Sequence, residues 1–455
     1  MNATIFKAYD IRGLSPGELG PAEAGRIGAA LARIHRPKTV VVGHDMRITS
    51  PELEETLIQG LNAQGVNVVR IGLCTTPMFN FAVAESNGEY DMGVMVTASH
   101  NPAKYNGLKI TKGDNTAIGQ GSGMEELRDL ACGGEPIPQS NMRGTVENDD
   151  DLLERYIEAI WSRSKLEGDL SSWKIAIDAG NGMEGLVLPK LSKKLGADVH
   201  ELYWKLDGNF PNHEANPVKI ETLADLQDEV KSKGCVLGAA FDGDGDRVGF
   251  VDEKGEAIPG DILTALFAKA ILSEQKGAKV LYDLRSSKSV KEVIEEAGGT
   301  AEMCKVGHAG IKRQMRETGA VFAGELSMHF YFAEFANCEA SDYAMLLLIR
   351  LMLREGKPLS EIWKPLVRYA HSGEINFTVS DSKAALEKVA SHYTPHATSV
   401  SHLDGVRIDM GDWWFSLRAS NTEPLIRLNL EANTKEIMDD KLIELRTCLA
   451  SLIQA

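Results

Sequence analysis

Three aspartates alternate with two glycines at Asp242-Gly243-Asp244-Gly245-Asp246, and Arg247 follows directly. In an extended run alternate residues point to one side, so the three carboxylates are expected to converge, with the glycines removing side-chain obstruction. Carboxylates about 4 Å apart repel by roughly 4 kcal/mol at an effective dielectric near 20, so three together require a cation or a raised pKa. Hard oxygen ligands of this kind suit Mg²⁺, which keeps positions open for water or a phosphate oxygen. Glu253 falls at the twelfth position of an EF-hand-like D-x-D-x-D run, but Arg247 stands at the sixth, where that loop needs glycine. The flanks CVLGAAF and RVGFVDE also read as strands, not helices. A solvated acidic turn is the plainer alternative; three aspartates closing a buried strand favour a metal.

A second stretch, Thr97-Ala98-Ser99-His100-Asn101-Pro102, sets a hydroxyl beside an imidazole in a turn. It reads either as a nucleophile with an adjacent base or as a polar turn. No third orienting group or oxyanion site accompanies the pair in sequence, which argues against a hydrolase. Gly324-Glu325-Leu326-Ser327-Met328-His329 offers a carboxylate, a hydroxyl and an imidazole at alternate positions, on one face if extended. Glutamate and serine suit sugar hydroxyls, and histidine transfers protons near neutral pH. Arg418-Ala419-Ser420-Asn421-Thr422-Glu423-Pro424 combines a guanidinium, hydroxyls and turn N–H groups suited to a phosphate, though such clusters are also ordinary turns. Gly307-His308 is a strand-end histidine, structural as readily as functional. Tyr9-Asp10-Ile11-Arg12-Gly13 says little by itself.

One plan of apolar strands with helical material between them recurs three times. It runs through TVVVGHD (39–45), VNVVRIG (66–72) and MGVMVTASHN (92–101), then WKIAIDAGNG (173–182), GADVHELYW (196–204) and CVLGAAFDGDGDR (235–247). AKVLYDLRSS (278–287), TAEMCKVGH (300–308) and AVFAGELSMH (320–329) complete it. Such alternation predicts βαβ units, with ligand chemistry at the carboxyl ends of strands, where the polar motifs fall. Ser50-Pro51 predicts a helix start with serine at the N-cap. From about 372, SGEINFTVS, GVRIDMG, WWFSLRAS and PLIRLNLEA predict an antiparallel sheet flanked by helices. Linkers are expected at 132–140, 252–261 and 368–373.

The bulk composition sets limits. The 455 residues allow about three or four domains, and 43% hydrophobic with 25% charged residues is ordinary for a globular protein. A formal charge of −16 argues against a general nucleic-acid surface, so a phosphorylated ligand needs a local basic cluster. MNATIFKAYD lacks the apolar core of a signal peptide, and AMLLLI (344–349) is too short to span a membrane. Six scattered cysteines without a C-x-x-C pair predict reduced thiols in a cytoplasmic protein.

In order and spacing, FKAYDIRG, TASHNP, DGDGDR, GELSMH and RASNTEP together resemble the α-D-phosphohexomutase superfamily over essentially the whole chain. DGNFPNHEANP (207–217) and the G-E-x-S-x-H form of the sugar loop are most similar to its bacterial phosphomannomutase/phosphoglucomutase branch. The resemblance implies four domains around a central cleft: three similar α/β domains with mixed, mostly parallel sheets, and a C-terminal α+β domain with an antiparallel sheet. Boundaries are expected at 1–145, 146–253, 254–368 and 369–455. It implies that Ser99 carries a phosphoryl group, which binds Mg²⁺ with Asp242, Asp244 and Asp246, supported by His100 and Arg247. Tyr9, Arg12, Arg285 and His308 would meet substrate, Glu325 and Ser327 the sugar hydroxyls, and Arg418, Ser420, Asn421 and Thr422 the phosphate not being transferred. Lys109 and His329 are candidates for proton transfer, with Arg12 nearby. The implied reaction interconverts mannose 6-phosphate and mannose 1-phosphate through a hexose 1,6-bisphosphate, which also serves as activator, and extends to glucose phosphates. A monomer or homodimer without nucleic-acid or membrane partners is expected. Phosphoglucomutase and phosphoglucosamine mutase are the near alternatives. A haloacid-dehalogenase-like phosphotransferase using an aspartate of DGDGDR, or a non-enzymatic sugar-phosphate sensor, lies further off. Met328, Arg285 and the Glu-Ala of the 207–217 loop depart from the family pattern and bear on fine specificity.

Overall fold

The computed structural model describes residues 1–379, 381–419 and 425–453. The first sheet contains β1 (Ile11–Leu14), β2 (Thr39–His44), β3 (Asn67–Leu73), β4 (Met92–Val96), β5 (Tyr105–Lys112) and β6 (Val146–Asn148), in the order β1-β5-β4-β2-β3-β6. Strands β2, β3, β4 and β6 run parallel, while β5 is antiparallel to both β4 and β1. The second sheet has β7 (Lys174–Asp178), β8 (Asp198–Leu202), β9 (Leu237–Phe241) and β10 (Val248–Asp252), ordered β10-β9-β7-β8. Only β10 runs antiparallel there. Strands β11 (Lys279–Asp283), β12 (Thr300–Cys304) and β13 (Phe322–Gly324) form a parallel ladder centred on β11. An antiparallel pair follows, β14 (Phe330–Phe332) with β15 (Cys338–Glu339). The last sheet is antiparallel throughout, from β16 (Ala370–Thr378), β17 (Ser399–Ser401), β18 (Val406–Asp409), β19 (Trp413–Ala419) and β20 (Leu425–Ala432), in the order β16-β20-β19-β18-β17.

The chain forms two compact bodies, Met1–Ile258 with Ser327–Ile362, and Pro259–Leu326 with Trp363–Ala455. Strands β4, β9 and β10 are buried at every residue, which explains the apolar runs MGVMV, LGAAF and VGFV. Helices cover the sheets as the alternation predicts. Among the described residues none is long and apolar enough to cross a membrane. All six cysteines are free, and Cys74, Cys235, Cys304 and Cys338 are buried.

Three local expectations differ from the structure. Thr49, not Ser50, caps the helix Ser50–Asn62; the Ser50 hydroxyl instead donates to buried Asp45 at 2.5 Å. Residues 370–373 belong to β16, where a register shift between His371 and Glu374 absorbs the glycine and serine that read as a linker. The Glu325–His329 stretch is a turn, with Met328 at φ 66°, and is not extended. Its alternation therefore does not set Glu325, Ser327 and His329 along one strand face.

Strand β5 holds the serine loop close. Gly107 pairs with Arg12, and its carbonyl accepts the Thr97 N–H. A Cβ at Gly107 would stand 2.4 Å from the Ile11 carbonyl oxygen and 2.7 Å from that of Thr97. Gly107→Ala is therefore expected to cost about 1–3 kcal/mol through overpacking, read as a lower midpoint in denaturant unfolding; an unchanged midpoint would contradict this packing.

Candidate active site

The first body collects most of the residues singled out by sequence. Ser99 opens the turn that follows β4, at φ 51° in the left-handed region, so its side chain leaves the strand direction. Its hydroxyl lies 2.8 Å from Asp242 Oδ2 and 3.2 Å from His100 Nδ1. The turn is fixed from below by Arg47, which is almost fully buried. That guanidinium donates to the carbonyls of Ser99 (2.7 Å), Asn101 (2.6 Å), Pro102 (3.0 Å) and Tyr105 (3.0 Å), while Asp45 neutralises it at 3.1 Å. Thr97 Oγ1 accepts the Ser99 N–H at 2.9 Å.

The aspartates reach this serine from the hairpin between β9 and β10. Phe241 pairs with Val248, so residues 242–247 form a closed loop; Gly245 adopts φ 75°. The convergence expected of an extended run thus comes from a tight turn. Asp242, Asp244 and Asp246 are 0%, 0% and 5% exposed and each offers an oxygen within 4.8 Å of the others. The two loops touch: a Cβ on Gly243 would stand 2.5 Å from the Ser99 carbonyl oxygen.

Positive charge surrounds the triad. Lys109 Nζ, from β5, donates to Asp244 Oδ2 at 2.7 Å and Asp246 Oδ2 at 2.6 Å. Burial alone would lower its pKa, but the two carboxylates reverse that and hold the ammonium charged. Arg247 Nε lies 3.8 Å from Asp242 Oδ2 and 3.1 Å from His329 Nε2. His329 Nε2 is 3.3 Å from Asp246 Oδ1, and its Nδ1 is 3.1 Å from the Ser327 hydroxyl. Arg12 reaches the serine loop through Asn101, at 2.9 Å. Tyr9 lies in the half-buried bend before β1.

These contacts divide the protons. Burial, reinforced by Asp246 and Asp244, pushes the Asp242 carboxyl up to about 8. Burial opposes ionisation of Asp246 too, but Lys109 and His329 hold its pKa well below the carboxylate range. Burial, with Arg247 and Arg12 nearby, keeps His100 neutral at physiological pH. Asp244 accepts from Thr76 (2.6 Å), Thr97 (3.3 Å) and Lys109 through Oδ2, whereas its buried Oδ1 has no hydrogen-bond partner among the described residues. An orphaned carboxylate oxygen inside an all-oxygen triad fits a hard divalent cation.

The second body holds a separate basic group. Asp283, buried at the end of β11, binds Arg285 at 2.6 Å and accepts the Leu326 N–H at 2.9 Å. Glu325 Oε1 accepts the Gly307 N–H at 2.9 Å, just before the helix opened by His308. Glu374 lies 3.6 Å from Arg285, 3.8 Å from Arg418 and 3.3 Å from Arg427. Ser420, Asn421 and Thr422 lie outside the described residues. Arg47, Thr76 and Glu374 were not singled out by sequence. Asp45-x-Arg47 closing buried β2 was the available signal, with the same strand-end logic as the aspartate loop.

Sequence profiles of the phosphoglucomutase/phosphomannomutase family match alpha/beta/alpha domain I at 3–129, domain II at 154–255, domain III at 259–369 and the C-terminal domain at 374–442. The chain belongs to this family, and it is an enzyme of the isomerase, phosphoryl-transferring kind. A phosphomannomutase of Methanocaldococcus jannaschii is 41% identical over 452 residues, 98% of each chain. Phosphohexose mutases of Xanthomonas campestris are 40% identical over 453 residues, again 98% of each. A crystal structure of a phosphoglucomutase/phosphomannomutase family protein from Burkholderia thailandensis superposes with a TM-score of 0.89 at 32% identity, over 99% of this chain and 98% of that one.

The Asp242 assignment has a pH signature in metal-free protein. The unfolded chain gives up this proton near pH 4, but the folded chain keeps it to about 8. Its contribution to stability is therefore full below pH 4 and lost as pH rises through 8. In EDTA, Asp242→Asn is expected to flatten the fall in unfolding free energy between pH 5 and 8; identical slopes would contradict the assignment.

Proposed function

We propose that the chain interconverts mannose 6-phosphate and mannose 1-phosphate, with Ser99 as phosphoryl carrier, in the cytoplasm, as a monomer or homodimer. The observation that carries this reading is the Ser99 hydroxyl 2.8 Å from Asp242, inside a buried aspartate triad. End-to-end likeness to phosphomannomutases supports it.

In this reading phosphorylated Ser99 gives its phosphoryl group to the free hydroxyl of a hexose monophosphate. The P–O bond to Ser99 breaks as the bond to the sugar oxygen forms, producing a hexose 1,6-bisphosphate. The hydroxyl proton passes to a nearby base, for which His329 and Lys109 are the candidates, with Arg12 close by. The bisphosphate then turns end over end, and its other phosphoryl group returns to Ser99. Free hexose 1,6-bisphosphate activates the enzyme by loading Ser99.

Asp242, Asp244 and Asp246, with the phosphate on Ser99, would hold Mg²⁺. When bound it supplies positive charge to a phosphoryl group whose oxygens gain charge in a loose transition state. The chain's own residues do the remaining work. Arg47 and Thr97 orient Ser99, Arg247 and His100 face its phosphate, and Lys109 keeps Asp246 ionised while donating to Asp244. Lys109 as arranged is a fixed cation, so a role as base requires those carboxylates to be engaged elsewhere. Glu325 and Ser327 would meet sugar hydroxyls, Arg418 with Ser420, Asn421 and Thr422 the phosphate at rest, and Tyr9, Arg285 and His308 the rest of the substrate. Recognition through hydroxyls other than that at C2 would admit glucose phosphates as well.

A coupled assay with mannose 1-phosphate, glucose 1-phosphate and glucosamine 1-phosphate, Mg²⁺ and a bisphosphate primer tests this. Mannose 1-phosphate is expected to turn over fastest, and Ser99→Ala to lower kcat by about 10³-fold or more. Near-full activity of Ser99→Ala with loss in Asp242→Asn would contradict the serine carrier and make an aspartate the nucleophile.

A further inference from the structure

The last sheet has a polar face that does not meet water. One set of alternating residues, from Val406 and Ile408 to Leu428 and Leu430, packs into an apolar core with Leu445 and Leu449 of the helix Lys435–Ile453. The opposite face of an antiparallel sheet is commonly solvated. Here its residues Arg407, Ser416, Asn429 and Glu431 are only 7%, 3%, 2% and 1% exposed. Buried polar groups of this kind need partners, and those partners show what the face is for.

The partners lie in the loop after β11, residues 284–288. Arg407 Nη1 donates to the Leu284 carbonyl and, at 3.3 Å, to that of Ser286. The carbonyl between them, that of Arg285, lies 3.0 Å from His371 Nε2. Because Gly373 N–H donates to His371 Nδ1 at 2.9 Å, Nε2 is the nitrogen that carries the proton and donates. Glu431 Oε1 accepts the Lys288 N–H at 2.9 Å. Trp414 braces the two charged partners. Its ring centroid lies 3.5 Å from the Arg407 guanidinium carbon, and its indole N–H donates to Glu431 Oε1 at 2.7 Å. Side chains of the last sheet thus hold three consecutive carbonyls and one N–H of a single loop.

That loop carries Arg285, whose guanidinium lies 2.6 Å from Asp283, 3.8 Å from Glu325 and 3.6 Å from Glu374. We propose that Arg407 and His371 are positioning residues for substrate binding: by holding the carbonyls of 284–286 they set the Arg285 guanidinium where a hexose phosphate meets it. The inference rests on the assignment of Arg285 to substrate given above.

The test is a double-mutant cycle in steady-state kinetics of the full chain with mannose 1-phosphate, Mg²⁺ and a bisphosphate primer, at a temperature where circular dichroism shows each variant folded. Arg285→Gln is expected to raise KM, and Arg407→Gln to raise it about five-fold or more with kcat within about two-fold of wild type. In the Arg285→Gln background, Arg407→Gln is expected to add less than about two-fold, because coupled residues are not additive. His371 is only half-buried, so its variants keep the test open should Arg407→Gln fail to fold. His371→Ala is expected to raise KM about three-fold, and His371→Gln, whose amide still donates to the Arg285 carbonyl, to restore it. Unchanged KM in Arg407→Gln or His371→Ala, or the same increase with and without Arg285, would overturn the positioning role alone. Unchanged KM in Arg285→Gln would overturn its assignment to substrate, and the positioning role with it.

Discussion

Three carboxylates buried within 4.8 Å of one another are the constraint around which the first body is arranged. Each like pair costs roughly 4 kcal/mol at about 4 Å and an effective dielectric near 20, and burial adds to that. The protein meets the cost in three ways. Lys109 stands between Asp244 and Asp246, Asp242 keeps a proton, and Asp244 leaves one oxygen for a cation to claim. The same carboxyl that keeps its proton is the one Ser99 touches. Charge compensation and the placement of the Ser99 hydroxyl therefore involve the same loop.

Rigid backbone makes that arrangement hold. The serine turn hangs on the buried guanidinium of Arg47, and the aspartate loop is stitched through three consecutive carbonyls. Glycines stand where chain meets chain, at Gly107 against Ile11 and Thr97, and at Gly243 against Ser99. A side chain at either position would move the serine relative to the aspartates.

Much of this was legible in the residues. Buried parallel strands announced themselves as apolar runs, and the polar motifs fell at their ends, where such sheets place ligand chemistry. The last sheet showed as four hairpin-spaced strands, and β19 and β20 bracket the RASNTEP stretch as expected. Geometry that depends on distant partners was not legible. Alternation suggested an extended DGDGDR, but the antiparallel return of β10 folds it into a loop. Alternation likewise put Glu325 with His329, until Met328 turned the chain. Arg47 and Glu374 looked like ordinary charged residues because their meaning lies in carbonyls and guanidiniums far away in sequence. Ser50 read as a cap because local rules cannot see Asp45 waiting across the turn.

The central claim is that Ser99, beside three aspartates, carries the phosphoryl group. Intact-mass measurement of the purified chain after incubation with a hexose 1,6-bisphosphate and Mg²⁺, followed by peptide mapping, tests it most directly. The account predicts a species one phosphate heavier, with the modification on Ser99, and none in Ser99→Ala. A chain that gains no phosphate, or gains it on an aspartate of the 242–246 loop, would contradict it.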